Sequence, residues 1–212
     1  MSRFTKKFNV TLISVVVGFA VAFGGTMIFN KLTKPDYKFV TTYTSKDINS
    51  RLLEKKPFKT VTGTGTIKLP LGSELASSQS TNVLLSATIP KINKDEAFAP
   101  YLTVGNFKLD NDIDQNIFRK DTVNNVIEQP INVAGISNYK KGLIAKYNNG
   151  NHKVLVFELT FENKGKTLHT MTAAMVENDY AYFATITSDP KFEEKNRDRL
   201  LSAILTFDIK GL

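Results

Sequence analysis

The feature that most constrains this chain is an uncharged apolar run from Phe8 to Phe29, preceded by the basic segment Met1-Ser-Arg3-Phe-Thr-Lys6-Lys7. At about 1.5 Å per residue, a helix over that run is roughly 33 Å long, enough to cross a hydrocarbon core of about 30 Å. Asn30, Lys31, Lys34 and Pro35 end it. The pattern predicts a basic tail over 1–7 and a transmembrane helix over 8–29, with the lipid bilayer as the first partner. A cleaved secretory signal is the alternative, because Ala20-Val21-Ala22 is a small-residue cleavage pattern in a suitable place. Phe23, Met27, Ile28 and Phe29 continue the apolar character beyond that point, which speaks against cleavage. Either reading carries the rest of the chain across a membrane.

Arg3, Lys6 and Lys7 are matched in number by Lys31, Lys34 and Lys38 on the other flank. The free amino terminus adds a charge on the short side, so the N-terminus is expected in the cytoplasm and the C-terminal domain outside it. Gly18/Ala22 and Ala20/Gly24 place small residues four apart, the spacing that lets two membrane helices pack closely. A helix-mediated homo-oligomer is therefore one expectation. The abundance of glycine and alanine in membrane helices explains the same residues without it.

Composition narrows the chemistry. The 212 residues contain no cysteine and two histidines, which excludes disulfides, thiolate metal sites and a cysteine nucleophile. The net charge is +8. Three basic residues precede the apolar run, leaving 25 basic against 20 acidic side chains beyond it, scattered rather than gathered into a stripe. Nucleic acid is not an expected partner.

Residues 30–60 read as a polar tether with one short helix from Ser45 to about Lys56, stopped by Pro57. The extracytoplasmic domain is expected over 61–212. Val61 to Leu69 alternates in polarity like an edge strand, and Leu71 to Asn82 reads as a loop. Val83–Ile89 and Tyr101–Leu109 are strand candidates. Ile113/Ile117 and Val123/Ile127 fit one or two short helices ending at Pro130. Then come strand candidates Ile131–Tyr139, Gly142–Tyr147, Lys153–Phe161, Leu168–Glu177 and Tyr180–Thr187. Asn148-Asn149-Gly150, Lys164-Gly165 and Asn178-Asp179 are hairpin turns between them. Asp189 and Pro190 open a last helix with Leu200, Leu201, Ile204 and Leu205 as its stripe, before a closing strand over 206–209. The expected fold is α+β: a membrane helix, then an antiparallel sheet of six or seven strands with helices on one face.

The succession Val154–Thr160, His169–Val176 and Tyr180–Thr187, then a charged helix and Leu205–Ile209, resembles the PsbP/Mog1/DcrB-like superfamily. Pro100–Val104 followed by the 113–127 helix is similar to its middle section. The resemblance spans residues 61–209 and rests on the order of elements. It implies a non-enzymatic scaffold that binds other proteins, often as an accessory factor on a membrane or larger complex. It transfers no functional residue and no cofactor.

Chemical motifs are sparse. Asp110, Asp112, Asp114 and Asp121 have calcium-loop spacing, but Gln115 stands where the loop needs glycine, so an acidic helix start is the simpler reading. His152 and His169 have no second ligand at metal spacing in the sequence, and no metal site is expected. No G-x-S-x-G elbow exists, and Gly63-Thr-Gly65 lacks the helix and lysine of a phosphate loop. Tyr101, Tyr180 and Tyr182, with Phe107 and Phe183, are core or sheet surface, or a candidate protein interface. The expectation is a membrane-anchored, non-enzymatic domain that binds an unidentified protein as an accessory or assembly factor. An envelope hydrolase with a hidden carboxylate site and a receptor for a small ligand or wall polymer are the alternatives.

Overall fold

The computed structural model describes residues 36–77, 83–108, 115–133, 136, 138–150, 152–177 and 180–209. The expected transmembrane helix, with Gly18, Ala20, Ala22 and Gly24, lies outside them. Among the described residues no helix is long and apolar enough to cross a membrane.

In chain order the strands begin with β1 (Thr41–Tyr43), β2 (Phe58–Lys59), β3 (Gly65–Ile67), β4 (Glu74–Leu75), β5 (Val83–Thr88) and β6 (Tyr101–Lys108). Helix α1 (Lys120–Val133) precedes a meander of β7 (Tyr139–Asn148), β8 (Lys153–Asn163), β9 (Lys166–Glu177) and β10 (Tyr180–Ser188). Helix α2 (Glu193–Leu205) and β11 (Asp208–Ile209) close the chain. The main sheet has eight strands in the order β1-β7-β8-β9-β10-β6-β5-β4, and β11-β3-β2 form a separate small sheet.

The meander follows from its turns. Lys164 and Gly165 both take positive φ, 50° and 72°, as the tight turn between two right-twisted strands requires. That turn aligns Asn163 with Lys166 and Thr160 with His169. All main-sheet pairs are antiparallel except β1 with β7, so the sheet is mixed.

Several expectations need correction. The sheet has eight strands rather than six or seven, because β1 and β4 are edge pieces of three and two residues, too short for a periodic signal. Helices pack on both faces, not one. Val154 and Val156 join the core beneath α2, while Leu155, Phe157, Leu159 and Phe161 join the core beneath α1. A strand buried on both faces is apolar at successive positions and loses the alternation that signals one dry face.

The helix expected over 45–56 is two 3₁₀ turns, Ser45–Asp47 and Ser50–Leu52. Thr44 and Asn49 side chains cap them, accepting from the Lys46 and Arg51 amides. Such local side-chain bonds compete with a continuous helix. Val61 to Leu69 is not one strand: a turn at 61–64, with Gly63 at φ 72°, separates β2 from β3 and leaves Val61 87% exposed. Pro130 does not stop α1, which continues to Val133, so Ile131 is helical and not the start of a strand. Ile131 is buried with Val123, Val126 and Ile127, and that packing outweighs the proline's missing amide bond.

At the C-terminus, Asp189 accepts from the amides of Lys191 and Ala97, fixing a 3₁₀ turn that leads into α2. Leu200, Ile204 and Leu205 are buried as expected, with Leu201 packed at the margin.

Candidate functional site

Burying a carboxylate is costly unless hydrogen bonds and opposite charge compensate, so buried titratable groups mark where the fold has committed free energy. Glu158 on β8 and His169 on β9 are 5% and 3% exposed. They are diagonal neighbours on the sheet face beneath α2, since Glu158 pairs with Met171 and His169 with Thr160. Glu193 and Arg197, one turn apart at the start of α2, reach down to them. Arg197 Nη2 donates to Glu158 Oε1 at 2.7 Å, and its Nη1 lies 3.4 Å from Glu193 Oε1. His169 Nε2 lies 3.7 Å from Glu158 Oε2 and 3.6 Å from Glu193 Oε1.

Two further residues complete this cluster. Tyr43 on β1 accepts from Arg197 Nη2 at 3.5 Å, tying the sheet's edge to α2. Burial raises the Tyr43 phenol, against the lowering influence of Arg197. Gly142 sits opposite on β7, beside a bulge between Lys141 and Ile144. A Cβ there would lie 3.1 Å from Glu158 Cβ and 3.4 Å from Oε2. A side chain at 142 would crowd the carboxylate.

Electrostatics settles the state of Glu158. Burial works to raise its carboxyl, but His169 and Arg197 together outweigh burial and hold it below the ordinary carboxylate value. Burial likewise works against the Arg197 charge, and Glu158 with Tyr43 more than restores it. The pair is a carboxylate and a guanidinium.

A second polar cluster has similar parts in a different arrangement. His152 Nδ1 lies 3.0 Å from Asp208 Oδ1, which also accepts from Asn149 Nδ2 at 3.0 Å. His152 Nε2 lies 3.9 Å from Glu177 Oε2. The imidazole therefore bridges carboxylates on opposite sides of its ring. This cluster fastens the β7–β8 turn to β11.

The candidate interface residues do not form one patch. Tyr180 is 37% exposed and Tyr182 5%, with ring centroids 6.3 Å apart. Tyr101 is 8% exposed and pairs with Thr187, at the opposite end of β6–β10 from Tyr180, which pairs with Lys108. Tyr101 packs near Phe98 on the sheet's other face. Its phenol is pushed up to about 12 by burial, with Thr187 tempering the rise. The trio is thus corrected to one half-exposed ring and two buried ones. Phe107 and Phe183 stack at 5.0 Å.

Of the acidic run, Asp110, Asp112 and Asp114 lie outside the described residues, and Asp121 falls in the first turn of α1. Gly63-Thr-Gly65 belongs to the turn before β3 and the strand's first residue.

Sequence reasoning missed the meeting of Glu158, His169, Glu193 and Arg197. Half of it was countable: stepping back from the Lys164-Gly165 turn places 158 and 169 diagonally on one face. It also missed the exposed apolar residues along the β4 edge. Leu75 in β4 is 61% exposed, Leu71 before it 52%, and Val61 87%. Val61 belongs to the same edge, because its amide donates to Leu84 O of β5, and the Ala76 amide donates to Ser86 O two residues further on.

No family model and no curated protein sequence matches the chain. Among solved structures it is similar to cyanobacterial PsbP (CyanoP) from Synechocystis sp. PCC 6803, with a TM-score of 0.54 and 9% identity, over 73% of this chain and 92% of that one. It is also similar to PA94 of Pseudomonas aeruginosa, described as a putative regulator of unknown function, with a TM-score of 0.48 and 13% identity over 74% and 98% of the chains. LpqN of Mycobacterium tuberculosis, involved in cell envelope biogenesis, gives 0.48 and 13% over 80% and 98%. At such identities the likeness speaks for architecture alone: the chain carries a PsbP-like α+β fold, in keeping with the resemblance in its element order.

Proposed function

We propose that the chain is a membrane-anchored, non-enzymatic domain that binds another protein outside the cytoplasm, as an accessory or assembly factor of a membrane or envelope complex. The observation that carries this reading is the β4 edge, where Val61, Leu71 and Leu75 expose apolar side chains along one side of the sheet. Apolar side chains gathered at one margin suit a protein surface better than a small polar substrate. The apolar run over 8–29 supplies the anchor, and the PsbP-like fold is compatible with an accessory role.

The hydrolase alternative needs two carboxylates of unequal pKa, one of them protonated to act as an acid. Glu158 and Glu193 do converge, but Glu158 is held ionised by Arg197 and His169. That favours a fixed ion pair over an acid poised to give up a proton.

Photo-crosslinking residues placed at Val61 or Leu75 in the full chain, in its native membrane, test the proposal. A discrete protein adduct at both positions, and none at the exposed Lys164 of the β8–β9 turn, is the expected outcome. Equal, non-discrete labelling at all three positions would sink the protein-binding reading. Protease added outside intact cells should digest the chain beyond residue 31, and full protection until lysis would reverse the orientation.

A further inference from the structure

The Glu158–His169–Glu193 cluster has a property that its role as an ion-pair network leaves unexplained. His169 Nε2 lies 3.6 and 3.7 Å from two carboxylate oxygens, longer than an ordinary hydrogen bond to either. This imidazole is 3% exposed and faces two carboxylates through one nitrogen. Both carboxylate oxygens nonetheless point at the same nitrogen.

The spacing itself suggests what is missing. Donors held at about 2.0–2.2 Å around a tetrahedral zinc ion stand roughly 3.4 Å from one another. Two of the three separations are already within a few tenths of an ångström of that figure. All three donor atoms lie within 4.8 Å of one another. The remaining closure falls to Glu193, the partly exposed member, whose Oε1 now accepts from Arg197 Nη1 at 3.4 Å. Glu158 and His169 are set by the register of one hairpin and need not move.

Charge points the same way. Two carboxylates, those of Glu158 and Glu193, share one guanidinium in a mostly buried pocket. Arg197 uses the other oxygen of Glu158, Oε1, and so would hold that carboxylate in orientation while Oε2 remains free for a ligand. The missing side chain at Gly142 leaves room beside Oε2.

We propose that Glu158 Oε2, His169 Nε2 and Glu193 Oε1 form a site for a divalent transition-metal ion of the zinc class, with a fourth position left to water. A nitrogen with two carboxylate oxygens suits zinc or cobalt(II) rather than calcium, which takes six to eight oxygens. The ion would clamp the start of α2 to the β8–β9 hairpin.

The test is a titration of the untagged full chain in detergent with zinc alone, followed by melting, and with cobalt(II) alone, followed by visible absorption. Saturable one-to-one binding is expected, with a rise of several degrees in melting temperature and the intense visible band of four-coordinate cobalt(II). Glu193→Gln should abolish both, and so should His169→Gln. His152→Gln, which alters the other histidine cluster, should leave both unchanged. If His169→Gln fails to fold, the partly exposed Glu193→Gln decides alone. No zinc-dependent shift in the wild-type chain would overturn the proposal, as would a shift that survives Glu193→Gln. A shift lost only in His152→Gln would overturn it equally.

Discussion

The two histidine clusters are built from the same parts and do different work. Each has one imidazole and two carboxylates. At His169 both carboxylates address a single nitrogen, while at His152 they address opposite nitrogens of the ring. The first arrangement converges on a point; the second is a chain of contacts linking a turn to a closing strand. The first also contains Arg197 and lies deeper. Inventory does not decide what a polar cluster can do; the direction in which its lone pairs face does.

The largest effect should come from removing the C-terminal segment that packs α2 on the sheet and contains β11. Deleting 200–212 removes Leu200, Ile204, Leu205, Phe207 and Ile209, each at most 3% exposed, together with Asp208. At about 1.5–3 kcal/mol per buried side chain the loss is of order 7–15 kcal/mol, comparable to a domain's whole stability. No cooperative unfolding transition should remain in the truncated chain. An unaltered melt would show that α2 and β11 are peripheral.

Next in size is Glu158→Gln, which leaves Arg197 without its carboxylate in a pocket where that partner is buried. Breaking a buried pair costs about 3–5 kcal/mol, and the partial exposure of Arg197 reduces this to about 2–3. The same variant should change the acid limb of stability. The folded-state pKa of Glu158 lies below its ordinary 4.5, so its stabilisation is complete above about that pH. It fades as the pH falls through the depressed value. Denaturant melts of wild type and variant should therefore differ fully above about pH 4.5 and converge only as the pH falls through the depressed value. A gap that stays constant into acid would mean that the charge of Glu158 is irrelevant.

The smallest effect belongs to the second cluster. Asp208→Asn keeps an oxygen for the Asn149 amide and loses only the charge opposite a partly exposed His152. A cost of about 1 kcal/mol is expected in the same melts. If it equals that of Glu158→Gln, depth of burial is not what separates the two clusters.

How much of this was legible depends on how local the cause was. The β7–β10 meander could be read because Asn149-Gly150 and Lys164-Gly165 specify tight turns, and a turn specifies register. Register in turn placed Glu158 near His169. Glu193 and Arg197 were visible as i,i+4 partners on a helix, but where that helix lies over the sheet is a tertiary fact with no local signal. The two-sided burial of β8 was hidden for a related reason: Val154 to Leu159 is apolar at nearly every position, so neither face stands out. Pro130 misled because propensity rules describe an isolated helix, whereas Ile131 is held by a core. The interface trio does not form one patch, because Tyr101 and Tyr180 share a sheet but neither a face nor an end.

The β4 edge has a consequence for how the chain avoids its own kind. Val83-Leu-Leu-Ser-Ala-Thr88 is the sort of segment that, left open, templates cross-β growth between copies. Its outward carbonyls at Leu84 and Ser86 are already taken by the amides of Val61, in the turn before β3, and of Ala76, directly after β4. A two-residue β4 adds too little ladder to recruit another strand in its place. Edge-to-edge pairing at this margin is therefore blocked by backbone plugs, while Val61 and Leu75 keep their side chains exposed. A partner that docks there would do so by shape against Leu71, Leu75 and Val61, and not by extending the sheet.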